Sequence, residues 1–327
     1  MNKSRTSLVG LALAGLLSAC HSNPEPKPAQ DAWGPQPALP VVDGTAAFSL
    51  GAADAYVNVM PTAARMPAFP ALETQAGKVR GYVADLSGQP LAGAHLGLRS
   101  SVYYASALAT TDSNGYYEIP APVGAVSFYA TGISRPYDQG QAVMGLCPAD
   151  NDGAGFVSDG GKVKNFVLLS YGPGAPDQLS LHPSFESSYF GGALSFSYGI
   201  EDYASPPSYL PPSATIEVQL APDGPGLFGE TRTFTIRKEV GNVRTQFGVL
   251  NIPVGKYRLT ARLQDGRALR MTEVGPRVGI YPHFGLKNSA APGAASVLFT
   301  PTPGFEPSMA VPYAGNWRAV DIRLELP

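Results

Sequence analysis

The chain is poor in the residues that carry most chemistry. Its 327 residues include two cysteines and four histidines, and charged side chains make up only 15%. The histidines, His21, His95, His182 and His283, lie far apart and match no H-E-x-x-H or comparable metal-ligand spacing. There is no G-x-S-x-G nucleophile elbow and no G-x-x-x-x-G-K-[ST] phosphate loop. Net charge is −2 with no long basic block, so nothing steers the chain to nucleic acid, whose phosphates need a basic patch. No cofactor motif and no catalytic set emerges, which reads as a non-enzyme.

What is abundant points to strands. Hydrophobic residues make up 44%, too many for a disordered chain, and Gly 37 and Pro 32 are spread throughout. Turn residues at short intervals, with no convincing amphipathic helix, predict an all-β chain of antiparallel β-sandwiches.

The first residues form a leader. Lys3 and Arg5 supply positive charge, Leu8 to Leu17 is an apolar run too short to span a bilayer comfortably, and Leu17-Ser-Ala-Cys20 follows. This resembles the lipobox of bacterial lipoproteins. The resemblance implies a signal peptide over 1–19, a diacylglyceryl group on the Cys20 sulfur, and an acylated mature N-terminus (a palmitate-type modification). Two or three chains make such a tether effectively permanent, since each buried methylene is worth about 0.8 kcal/mol. His21 follows, where Asp retains lipoproteins in the inner membrane of many didermal bacteria. Within the cell envelope the outer membrane is therefore favoured if the source is didermal. With Cys20 lipidated, Cys147 has no disulfide partner, and burial as a small hydrophobe is expected for it.

Residues 20–47 are rich in proline, at 24, 26, 28, 35, 37 and 40, and read as a linker. Extended, it could reach roughly 60–80 Å at about 3.1 Å per residue. Residues 48–75 read as a lead-in with two short strands. From 76 to 172 the pattern is sharp: KVRGYVAD alternates, SGQPLAGA turns, AHLGLRS alternates again, and TTDSNGYYEIPAPVG turns into another strand.

These motifs carry a second resemblance. Gly81, Val83, Gly88, Pro90, Leu91, Gly93, Ala94, Thr111, Asp112, Gly115, Tyr117, Ile119, Pro120 and Gly124 follow in order the pattern of the carboxypeptidase regulatory-like domain. The resemblance implies a transthyretin-like seven-stranded sandwich that accompanies other domains and is not itself catalytic. The loop 134–161 interrupts the expected last strands. After SYGPGAP, residues 177–327 read as a second, Ig-like sandwich. There RLTARLQDG sets Leu259, Ala261 and Leu263 on one face and Arg258, Thr260 and Arg262 on the other.

Three groups of residues are candidates for a role. Asp112, Asn114 and Gly115 predict a tight Asx-type turn, with Asp112 capping the backbone two residues on and Asn114 and Gly115 tolerating positive φ. Asp150, Asn151, Asp152 and Asp159, on the Gly-rich loop CPADNDGAGFVSDGG, could offer oxygens to Ca²⁺, although the spacing is not an EF-hand and a solvated turn is the expected reading. Tyr103, Tyr104 and Tyr116 could stack on sugar rings, against a default of ordinary strand composition. The sequence therefore predicts a lipid-anchored, non-enzymatic envelope protein that binds or scaffolds an envelope protein or glycan. The alternatives are a carbohydrate-binding lipoprotein, and an envelope hydrolase or its accessory subunit with a pocket in 177–327 joining His182 or His283 to carboxylates.

Overall fold

Strand formation follows the two-residue alternation. In Lys256–Leu263 the residues Tyr257, Leu259, Ala261 and Leu263 are buried while Arg258, Thr260 and Arg262 face water, as the sequence predicts. The computed structural model describes residues 33–102, 105–242, 244–276, 278–302 and 306–327. The leader and Cys20 lie outside the described residues.

The strands fall into three groups. β1 (Thr45–Leu50) and β2 (Tyr56–Asn58) come from the lead-in. The first unit holds β3 (Lys78–Asp85), β4 (His95–Ser100), β5 (Ser106–Thr110), β6 (Tyr116–Pro120), β7 (Ala125–Tyr137), β8 (Gly140–Pro148), β9 (Phe156–Val157), β10 (Lys162–Val163) and β11 (Phe166–Leu168). The second holds a short helix, α1 (Pro176–Leu181), then β12 (Gly192–Tyr198), β13 (Thr215–Pro222), β14 (Thr233–Glu239), β15 (Gln246–Ile252) and β16 (Lys256–Leu263). It continues with β17 (Arg270–Glu273), β18 (Gly285–Asn288), β19 (Ala294–Leu298), β20 (Thr300–Pro301), β21 (Trp317–Arg318) and β22 (Val320–Glu325). The chain is all-β, and among the described residues no helix is long and apolar enough to cross a membrane.

The first unit is one curled sheet in the order β10-β3-β11-β8-β7-β4-β5, with β6 on β3 and β9 on β7. Its inside is filled by Val79, Val83, Leu96, Leu98, Tyr117, Ile119, Phe128 and Phe166. Each such burial is worth about 1.5–3 kcal/mol. The second unit is a sandwich of two sheets, β1-β14-β13-β16-β19-β18 and β17-β22-β12-β15-β2, with a small β20-β21 ladder. Its outer face carries a register lock. Glu217 lies directly opposite Arg237 and Arg262, and its carboxylate accepts from both, at 3.0 and 2.5 Å.

Two details differ from the sequence expectation. The sheets are mixed: β1–β14, β2–β15, β12–β22, β3–β10 and β3–β11 are parallel. These strands are distant in sequence, so no hairpin forces them antiparallel. The described part of the Pro-rich linker is also laid on the body. Trp33 and Val42 are buried, and the Gln36 amide donates to Trp33 O and Ala68 O and accepts from Ala68 N.

A seam joins the two units. Tyr137, at the tip of β7, donates to Gly255 O and accepts from Phe299 N, both at 3.2 Å. Its ring stacks on Phe284 with centroids 5.8 Å apart and tilts against Trp317 at 5.2 Å. Full burial pushes its phenol well above the usual range. Ser170 donates to the Glu230 carboxylate, which also accepts from Phe228 N. Asn251, buried at positive φ, donates to Met60 O and Asn58 Oδ1 and accepts from Gly172 N.

Replacing Asn251 by Ala strands the Gly172 amide and the Met60 carbonyl, so a loss of about 2–4 kcal/mol is expected. Urea unfolding checks this. An unchanged midpoint would mean that the junction carries no load.

Candidate functional site

The stretch Asp112-Ser-Asn-Gly115 is a turn. Asp112 Oδ1 accepts from Asn114 N at 2.9 Å and from Tyr116 N at 3.1 Å, and Gly115 N donates to Asp112 O at 3.0 Å. Gly115 has φ +71, and a Cβ there would lie 2.4 Å from Val83 O. The same glycine's carbonyl accepts from Val83 N at 2.8 Å. Positive φ and close approach to β3 both demand glycine. These side chains are committed to the fold.

The acidic loop, expected as a turn and weighed for calcium, is occupied by a side-chain cation. The Lys164 side chain is 3% exposed, and its ammonium donates to both Asp150 oxygens at 2.6 and 2.8 Å and to Asp152 O at 2.5 Å. The Asp152 carboxylate lies 3.9 Å away, held below the usual range first by Ala154 N and then by this ammonium. Asp159 is not part of the group, and its backbone carbonyl accepts from Gly77 N. Among the described residues, no three His, Cys, Asp or Glu side chains are grouped to hold a metal. Sequence reasoning missed Lys164 because it follows the acids by more than ten positions and returns beside them only through the β8–β11 pairing.

The tyrosine candidates divide. Tyr103 and Tyr104 lie outside the described residues. Tyr116 is half-buried in an aromatic cluster, edge-on to Tyr82 at 5.6 Å, and Tyr82 is itself edge-on to Trp33 at 5.3 Å. Phe69 and Leu72 complete the cluster. The Tyr116 hydroxyl donates to Glu118 at 2.9 Å, and burial pushes its pKa up to about 12. It is not a free sugar platform, because Trp33 and its neighbours cover this face. The Glu118 carboxyl feels partial burial, which raises it. The Lys78 ammonium at 2.6 Å and the Tyr116 hydroxyl outweigh that and hold it below the usual range.

Cys147 is buried, and desolvation pushes its thiol up to about 12, so it is inert. Among the described residues, His95, His182 and His283 are not brought together with one another. His182 stacks on Phe185 at 4.8 Å. His95 is partly buried, with Nδ1 unpartnered. His283 lines a cavity of about 180 Å³ with Asp138, Lys256 and Lys287, and Asp138 there faces Lys256 at 3.9 Å. A cavity of about 250 Å³ gathers Glu273, Lys287, Arg318 and Asp321 without a histidine, and Glu273 is engaged by Leu286 N at 2.7 Å.

A third cavity, of about 320 Å³, opens on the outer face of the five-stranded sheet. One cross-strand row crosses it: Tyr56 on β2 pairs with Gly248 on β15, Gly248 with Ser195 on β12, and Ser195 with Asp321 on β22. Ala319 adds to the low floor, and Arg244, Gln246, Glu186 and Arg318 stand around it. Sequence reading did not find this site, because its residues come from four strands and no local motif links them.

No protein-family model matches the chain, and no curated protein does. Among solved structures it is similar to the Bacillus anthracis TIE protein, at 13% identity and TM-score 0.28 over 77% of this chain and 34% of that one. It is similar to a streptococcal ancillary pilin, at 15% and 0.21 over 76% and 64%. It is also similar to a Mobiluncus mulieris adhesin containing intramolecular disulfide, isopeptide and ester cross-links, at 11% and 0.26 over 76% and 98%. The chain thus spans about a third of the first and under two thirds of the second.

With Lys164 in place, calorimetry at millimolar calcium is expected to show no binding heat, and a saturable heat would return the acids to a metal role. Glu118 gives a pH signature. Its folded pKa is depressed, so its contribution is present above about pH 4.3 and lost as pH falls through the folded value. Glu118→Gln should lower stability at pH 7, leave it little changed once pH is below the folded value, and so flatten the acid limb between. Denaturant midpoints at pH 3 and pH 7 test this.

Proposed function

We propose that the protein is a non-enzymatic, lipid-anchored cell-envelope protein whose body binds or scaffolds a partner at the membrane surface. One observation carries the non-enzymatic part. Candidate reactive groups that the sequence singled out are engaged in the described body: Cys147 is buried, Asp150 and Asp152 hold Lys164, and Asp138 beside His283 faces Lys256. General acid–base or nucleophilic catalysis needs such groups free and within reach of a substrate.

The anchor is read from Leu17-Ser-Ala-Cys20 alone, and the envelope location follows from it, with His21 favouring the outer membrane if the source is didermal. The carboxypeptidase regulatory-like reading of 76–172 belongs to the same proposal. Trp33 and Val42 are docked on the body, so the linker read over 20–47 does not stand clear of it along its whole length.

Metabolic labelling with palmitate tests the anchor. Label and membrane fractionation should be present in the wild type and lost in Cys20→Ser. Label persisting in the variant contradicts the attachment site.

A further inference from the structure

We propose that the trough on the β2-β15-β12-β22 face binds an acidic saccharide. This deepens the binding role above and rests on it. The trough is not a packing by-product. A Cβ on Gly248 would meet nothing closer than 3.5 Å, and the residue has no positive φ, so neither fold nor strain calls for glycine. Glycine there, with Ser195 beside it and Ala319, keeps the floor low in the middle of a sheet face.

The walls match a sugar. Tyr56 gives an apolar ring edge for the C–H face of a pyranose. The Ser195 hydroxyl, Gln246 amide and Asp321 carboxylate supply donors and acceptors suited to sugar hydroxyls. A cavity of about 320 Å³ is at the small end of ligand sites, which fits one or two sugar units.

Charge selects the class. Arg318 and Glu186 are 3.8 Å apart and largely cancel. The Arg318 Nε is buried with no partner. Arg244 makes no ion pair among the described residues and stands over the start of β15, while Asp321 lies across the sheet on β22. A ligand with a carboxylate at one side and hydroxyls at the other satisfies both: the carboxylate accepts from Arg244 and a hydroxyl donates to Asp321. A polyphosphate fits poorly, because Glu186 and Asp321 repel dense negative charge.

The test uses the full chain bearing Cys20→Ser, to keep it in solution, with two probes: a β-1,4-mannuronate hexasaccharide and neutral β-1,4-mannohexaose. They differ only in carboxylate against hydroxymethyl. Calorimetry should show the acidic probe binding about tenfold or more tightly than the neutral one, which corresponds to about 1.4 kcal/mol. Arg244→Gln should bring the acidic probe down to the neutral level and leave the neutral probe unchanged. Ser195→Trp, which fills the floor, should abolish both. If that variant fails to fold, the exposed Arg244→Gln still decides. Equal affinity for the two probes, no heat from either, or affinities that Arg244→Gln leaves unaltered each overturn the proposal. Mass spectrometry of the recovered probe separates the two claims. Cleaved probe removes the non-enzymatic reading and leaves the site standing, whereas intact probe without binding removes the site and leaves the envelope role to the palmitate test.

Discussion

The body depends on polar groups that span parts of the chain which would otherwise be separate. The Asn251 amide is buried and meets the lead-in at Asn58 and Met60 and the inter-unit connection at Gly172. A buried amide with all its partners in place rigidifies, and one without them costs free energy, so the site tolerates one arrangement of those segments. Tyr137 acts similarly from the other side, inserting a hairpin tip of the first unit between Gly255 and Phe299 of the second. The apolar core runs without a break through both units, so they do not behave as beads on a string.

That rigidity shapes what the surface can do. A fixed sheet face presents side chains at constant spacing, which suits recognition by several weak polar contacts better than a loop would. The trough row is built this way, each residue set by strand register. The covered aromatic cluster shows the opposite use of the same materials. Tyr82 and Tyr116 lie on the outer face of β3 and β6, and Trp33 closes over them. Tyr82 carries a buried hydroxyl with no partner, a polar group set inside an otherwise apolar contact.

Local features were legible in the sequence, and non-local ones were not. The alternation of β16 and the Asp112–Gly115 turn depend on neighbours a few residues away, so spacing alone exposes them. The Gly81 position was visible as a motif residue, but its reason was not: a Cβ there would strike the Lys164 backbone, which crosses over β3. The partner of Asp150 and Asp152 was not legible, because acid spacing says nothing about where a lysine beyond the loop will return. Proline spacing likewise suggested a free spacer. The two residues that contradict it, Trp33 and Gln36, find their partners at Tyr82 and Ala68. The parallel pairings, and with them the trough, link positions that no window of sequence contains together.

The lead-in strands hold a further consequence, in the order of assembly. β1 and β2 precede the first unit, yet Thr45 meets Thr233 and Tyr56 meets Gly248. The second sandwich is therefore a discontinuous body, with the first unit spliced into it. Closing so long a loop is entropically slow, whereas the middle unit can mature from its own sequence. During that interval two short strands with bare hydrogen-bonding edges wait for partners, and Lys238, whose ammonium ends up buried against Gly51 and Ala52, waits for its acceptors. The unpaired β1 and β2 are thus the places most prone to sticking, and an escort for those strands would matter more than one for the first unit.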